Sequence, residues 1–232
     1  MAGFHTTRWS LILAARDDSA DARGALDQLC RTYRPAVVSY LRSRGRSRER
    51  ADDLAQGFFA RFLEYRYHEI ADPARGRFRV FLGSALNNYL ITEAARARRA
   101  KRGGGAEHAE LDEQLVADDA SPSPEQAFDR AWAMTVIEHA VAALKTEAEA
   151  NGKGALFERL REFLAEAPDA EDYAQAAADL GMRQNTVAVS VHRLRDRLRE
   201  KVREQLADTV AKPEDVDDEL RALRAVLGGV AR

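Results

Sequence analysis

Cysteine is nearly absent from this chain. Cys30 stands alone, which excludes a disulfide within the chain, and neither a CxxC pair nor a Cys/His cluster is there to hold zinc. Cys30 reads as a small buried apolar residue. Alternating β-branched runs are missing too; Ala36-Val-Val-Ser-Tyr is the one short candidate, and it lies inside a helical pattern. No segment approaches the length of a membrane span, and the start, Met1 to Trp9, has no apolar run behind a basic cap. A cytoplasmic protein without membrane contact is expected. An excess of charge of either sign is also lacking: 36 Lys and Arg face 38 Asp and Glu, for a net charge of -2. Nothing attracts a polyanion globally, so any nucleic-acid contact must come from local patches, and tight binding from a larger assembly. The 5 histidines are scattered without ligand spacing and there is no Gly-rich phosphate loop. No cofactor, no metal and no catalytic residue is expected.

What is present is helical periodicity. With 232 residues and 45% hydrophobic composition, the chain has material for one large core or two small ones. The pattern predicts an all-α protein of two helical domains joined by a flexible polar linker, the second containing a helix-turn-helix. The boundaries fall at 1–102, 103–123 and 124–210, with a helical extension over 211–232. Thr6 or Thr7 caps a short helix carrying Trp9, Ile12 and Leu13. A helix over about 21–44 turns Leu26, Leu29, Cys30, Tyr33, Val37 and Leu41 inward, contains Pro35 and closes at Gly45. Ser47 caps the next, where Leu54, Phe58 and Phe62 make one stripe widened by Phe59 and Leu63. A helix over about 78–101 opens apolar and ends basic. Gly103-Gly-Gly breaks it, and polar sequence follows to Pro124.

After a helix over about 124–149 and the apolar run Leu156-Phe-Glu-Arg-Leu-Arg-Glu-Phe-Leu, the stretch from Ala174 to Arg195 reads as two helices joined by a tight turn. Ala177 and Leu180 give the first an inner face, Gly181 ends it, and Asn185 or Thr186 caps the second. Val187, Val191, Leu194 and Leu198 bury one stripe of that second helix. Gln184, Asn185, Ala188, Ser190, Arg193 and Arg195 are left to face a groove or water. Duplex DNA is the functional reading; an αα-hairpin inside a helical bundle is the plain one. In the extension, Val216, Leu220, Leu223 and Leu227 form a stripe, read as structural cover or as a mask over a functional surface.

Two further patches carry chemistry. Arg96, Arg98, Arg99, Lys101 and Arg102 gather cations that neutralise phosphates, and Asn87, Asn88 and Tyr89 lie upstream on the same helix. Amides and a ring suit unstacked bases, although an exposed helix end with a core Tyr explains the same residues. Asp52, Asp53, Gln56 and Arg61 make a polar face beside the Phe stripe, either a docking surface or acids that favour the helix dipole.

Together these motifs resemble the bacterial sigma factors of the extracytoplasmic-function (ECF) group. Arg50-Ala-Asp-Asp-Leu-Ala-Gln-Gly-Phe-Phe-Ala-Arg-Phe-Leu resembles the helix that docks on the β′ clamp helices of RNA polymerase, which implies core binding by Asp52, Asp53 and Gln56. Phe78 to Leu90 and the basic tail behind it resemble the promoter-melting helix, with Asn88 at the position of the family's usual Asn. The stretch from Tyr173 to Arg195 resembles the reader of the −35 duplex. Thr6-Thr-Arg-Trp, Gln56-Gly-Phe-Phe and Leu156-Phe-Glu-Arg-Leu resemble one subgroup. Departures are Gly57 where many members place Glu, Ala188 and Val189 where basic side chains are common, and Thr92-Glu93 for an Asp-Glu pair.

The resemblance implies a sigma factor that binds core RNA polymerase through the β′ clamp helices and the β flap, and directs it to promoter DNA. An anti-sigma factor or other regulator is a further partner it allows. The competing reading is a stand-alone helix-turn-helix regulator that binds an operator as a dimer. A third is a helical interaction protein without DNA binding, for which Ala188 and Val189 speak.

Overall fold

The protein is all-α. The computed structural model describes residues 20–72, 77–103, 122–207, 210 and 215–228. The helix expected around Trp9, Ile12 and Leu13 lies outside them, as do most of the polar stretch before Pro124 and Pro213 itself. The helices are α1 (Ala20–Ser43), α2 (Arg48–Glu64), the short α3 (Tyr67–Ile70), α4 (Phe78–Gly103), α5 (Pro124–Ala150), α6 (Gly154–Leu160), α7 (Ala170–Leu180), α8 (Gln184–Ala207) and α9 (Val216–Gly228). They form two compact units, Met1–Thr135 with Ala207–Arg232, and Val136–Leu206. Among the described residues no helix is long and apolar enough to cross a membrane.

In the first unit, α1 buries Leu29, Tyr33, Val37 and Leu41, while Leu26 and Cys30 are half-buried. Gly45 ends the helix at φ 78°, with Arg46 N–H on the Leu41 carbonyl and Gly45 N–H on that of Arg42. These two bonds satisfy carbonyls that the helix end leaves open. Ser47 then caps α2, its hydroxyl accepting from Arg50 N–H at 3.2 Å. Leu54, Phe58, Phe59 and Phe62 are buried on α2, but Leu63 is 36% exposed. The apolar stripe is therefore narrower than its period predicts. From α4 come Phe78, Leu82, Ala85, Leu86 and Tyr89. Phe78 sits edge-on to Tyr33 at 5.3 Å and to Phe62 at 6.4 Å, so one ring joins α1, α2 and α4.

Two elements of this unit have no counterpart in the expected pattern. Arg66 takes a left-handed conformation at φ 50° and leads into α3, which buries His68 beside Phe62. The start of α5 carries a capping box, with Ser123 N–H on the Gln126 side-chain oxygen at 2.8 Å and Gln126 N–H on the Ser123 hydroxyl at 3.2 Å.

The second unit centres on Leu160, Phe163, Ala176, Ala177, Val187 and Val191, with Leu180 and Leu194 packed against them. Asp169 and Asp172 form a reciprocal capping box at the start of α7. Gly181 ends that helix at φ 62°, with Met182 N–H on the Ala177 carbonyl at 2.9 Å. The second helix of the pair begins at Gln184, before Asn185 and Thr186, because the Arg183 carbonyl already accepts from Thr186 and Val187 N–H. Neither Asn185 nor Thr186 is the cap.

A charged cluster ties α5 to α8 inside this unit. Arg197 grips Glu147 with Nε–Oε1 at 2.7 Å and Nη2–Oε2 at 2.6 Å, and Lys201 Nζ adds a contact at 3.1 Å. The Arg197 hydrogen bonds, with Lys201 behind them, outweigh burial and hold the Glu147 carboxyl down at about 2, against an ordinary 4.5. A carboxyl depressed in the folded state stabilises fully above its unfolded value, and that contribution goes as it protonates. Urea melts monitored at stepped pH should therefore show stability lost from about 4.5 down towards 2. In Glu147→Gln that acid-sensitive component should be absent.

Candidate nucleic-acid interface

On α2, burial of Leu54, Phe58 and Phe62 turns the opposite face outward. Asp53 and Gln56 are exposed there, and Asp53 has no partner among the described residues. Asp52 differs: it is half-buried and its Oδ1 takes Arg34 Nη2 at 2.8 Å. Gln56 rims a groove of about 700 Å³ between α1 and α2, floored by Phe59, Leu26 and Cys30. Burial, then the neighbouring Asp27, pushes the Cys30 thiol up to about 11. It is a protonated, unreactive wall of the groove at neutral pH.

Gly57, next to Gln56, has a packing role. A Cβ there would lie 2.5 Å from the Tyr89 hydroxyl of α4. Tyr89 is buried against Phe58, with ring centroids 5.7 Å apart. Burial and Glu93 raise its hydroxyl pKa above the ordinary value. The ring belongs to the core, so it is not the stacking platform that its neighbours Asn87 and Asn88 invite.

Asn87 and Asn88 are both exposed. At 3.6 residues per turn, Asn87, Ile91, Ala94 and Arg98 lie along one line, with Asn88 and Arg99 beside it. All are exposed, and Ile91 stands 61% accessible among them. Arg96 falls on the other side of α4, near Glu93, with Nη1–Oε1 at 4.0 Å. Asn87 Oδ1 accepts from Arg44 Nη1 at 3.4 Å, which brings one cation of the loop after α1 to the amide face. Lys101 and Arg102 continue α4, but their side chains lie outside the described residues.

In the second unit, the outward face of α8 is formed by Asn185, Thr186, Val189, His192 and Arg193, all exposed. Gln184 is used internally as well: its Nε2 donates to the Ala170 carbonyl at 2.9 Å, clipping the start of α8 to the start of α7. Ser190 is half-buried and donates to the Thr186 carbonyl at 2.8 Å. Arg195 turns away from the outward face, with Nε on the Phe163 carbonyl at 2.8 Å and Nη2 on that of Glu166 at 2.7 Å. It closes the chain end after α6. His192, which pairs through Nδ1 with Asp196 at 2.8 Å, was missed as a face residue. Its spacing from Asn185 and Val189 carries the signal. Arg197 and Arg199 are bound to acids, Arg197 to Glu147 and Glu200 and Arg199 to Asp196, whereas Arg193 on that face and Arg183 just before α8 are exposed.

Residues 29–100 match the family model described as Sigma-70 region 2. The match runs from Leu29 in α1 through α2 and α3 to the basic end of α4. No curated protein and no solved structure matches the chain. Region 2 of sigma-70 proteins is a regulatory, non-catalytic module, and among the described residues no three His, Cys, Asp or Glu are grouped to hold a metal ion.

The Gly57 contact gives a double-mutant test. Gly57→Ala gains about 1 kcal/mol of helix propensity and meets an overpacking cost of about 1–3 kcal/mol at the Tyr89 hydroxyl. In wild type it should be neutral to destabilising. In Tyr89→Phe, where the nearest ring atom lies at 3.6 Å, the same change should stabilise by about 1 kcal/mol in thermal or urea melts.

Proposed function

We propose that this chain, which carries a sigma-70 region 2 domain over residues 29–100, is a sigma factor of the ECF group that binds core RNA polymerase and directs it to promoters. The observation that carries the reading is the coincidence of that match with two outward faces, acid and amide on α2, amide and guanidinium on α4. The first domain, 1–102, docks on the β′ clamp helices through Asp53 and Gln56, with Asp52 held by Arg34 as part of the same face. Its α4 captures the opened −10 strand, Asn87 and Asn88 reading base edges while Arg98, Arg99, Lys101 and Arg102 neutralise phosphates and Arg96 flanks them.

The domain over 124–210 carries the helix-turn-helix to the −35 duplex and meets the β flap, with 103–123 as the tether and 211–232 as an extension. Asn185 and Arg193 face the major groove, with Gln184, Ser190 and Arg195 shaping the helix start and its support. Val189, 44% exposed at the centre of that face, offers apolar contact where a cation would give phosphate or guanine contact. Promoter choice in this chain therefore leans on fewer charged contacts, which fits a net charge of -2 and a protein that reads DNA only on polymerase. Its place of action is the cytoplasm.

The test is assembly with sigma-free core polymerase, followed by transcription on promoter DNA from the source genome. Wild type should bind and start specific transcripts. Asp53→Ala, Gln56→Ala should weaken core binding by about tenfold or more, roughly 1.4 kcal/mol, with its own thermal melt unchanged. Operator binding by the free protein, with no affinity for core, would establish the stand-alone regulator instead.

A further inference from the structure

Two cations at the start of α4, Arg77 just before it and Arg79 in its first turn, are drawn to a single carboxylate. Glu219 of α9 is fully buried and takes Arg79 with both oxygens, at 3.4 Å to Nε and 3.4 Å to Nη2. Arg77 reaches the same carboxylate at 3.2 Å and is 35% exposed, against 10% for Arg79. Val216 and Leu223 bury on either side of Glu219, so the acid sits in the middle of a short apolar stripe.

The arrangement is asymmetric in what each side keeps when the pair opens. Arg79 also bonds Asp129 and lies over the Trp132 ring at 4.9 Å, so it retains a counter-charge and a stacking partner without α9. Glu219 goes into water on a freed helix. A buried ion pair contributes little net stability over an apolar contact of the same shape, while it fixes which element docks and where. A helix of 13 residues does not hold its structure alone in water.

A carboxylate whose two oxygens accept from two nitrogens of one guanidinium reproduces the contact a phosphodiester makes with the same group. We propose that Arg77 and Arg79 are a phosphate site for the nucleic-acid strand that α4 binds, and that Glu219 of α9 occupies it in the free protein as a cis competitor. The inference rests on the strand-binding role of α4. Undocking α9 frees Arg77 and leaves Arg79 with one acid in place of two, at the N-terminal end of a helix whose other contacts lie at its middle and C-terminal end. The free protein is held at low affinity for single strands, and the site opens when α9 is drawn away.

The experiment uses the full chain and a fluorescein-labelled single-stranded deoxyoligonucleotide of mixed sequence, read by anisotropy across a salt series. Glu219→Ala removes the competitor; Asp218→Ala makes the same charge change on the exposed side of α9. Arg77 freed outright and Arg79 left with Asp129 alone predict binding tighter by several-fold up to about tenfold and a log–log salt slope steeper by about 0.7–1.4 for Glu219→Ala, with Asp218→Ala as wild type. Leu223→Ala loosens α9 without touching charge and should give the same gain, and it decides the matter if Glu219→Ala loses its cooperative melt. Arg77→Gln added to either should take back part of the gain. Equal affinity and slope in wild type, Glu219→Ala and Leu223→Ala overturns the competitor while leaving strand binding by α4 intact. Absence of binding by every variant overturns both.

Discussion

The ring of Phe78 is the junction on which the first unit depends. It is fully buried and meets Tyr33 of α1 and Phe62 of α2 edge-on, which locks three helices in rotation about their own axes. Rotation is what matters for function here. With Phe58 and Phe62 turned in, Asp53 and Gln56 have only the outside left; with Phe78, Leu82, Leu86 and Tyr89 turned in, Asn87 and Asn88 are likewise outside. The two candidate faces are therefore consequences of one core, and Gly57 is the concession that lets the Tyr89 ring close it.

Electrostatics follows from the near balance of charge. In a chain with 36 basic and 38 acidic residues, a guanidinium group is as apt to meet an acid as water, and the structure sorts them. Arg197, Arg199, Arg159 and Arg79 are bound to carboxylates, and Arg195 to backbone carbonyls. Arg98 and Arg99, by contrast, are exposed at the end of α4. Local surplus, and not net charge, defines where a polyanion can be held.

Periodicity made the helices legible, along with their buried stripes and the turns at Gly45 and Gly181, because those features are short-range: a helix period, a cap, a residue free to take positive φ. The acid–amide face on α2 was legible for the same reason. What the sequence withheld is set by partners far away in the chain. Tyr89 looked equally good as platform or core until Gly57, 32 positions earlier, made room for it. Arg195 has the spacing of a groove-facing cation, yet carbonyls of Phe163 and Glu166 hold it. Glu219 reads as one more surface acid in an acidic first turn, and its burial depends on Arg77 and Arg79, which no local pattern links to it. Leu63 continues the stripe in sequence, yet it lies at the rim of the groove beside α1 and is 36% exposed.

The two ends of α7 bear on how that helix is joined to α8. Its start is fixed by Asp169 with Glu171 and Asp172, and its end by Gly181 and Met182 with Ala178 and Ala177. Every one of these bonds spans five residues or fewer. Contacts so close in sequence cost little loop entropy, so the ends of this helix are specified locally, while a helix of 11 residues is held by its apolar contacts with Leu160 and Phe163. α8 is tied to the other end of α7 by the Gln184 amide, which donates to the Ala170 carbonyl 14 positions earlier. The joint between α7 and α8 therefore has polar bonds at both ends of α7 as well as the apolar contacts beneath it, so losing one bond leaves the others to hold the pair.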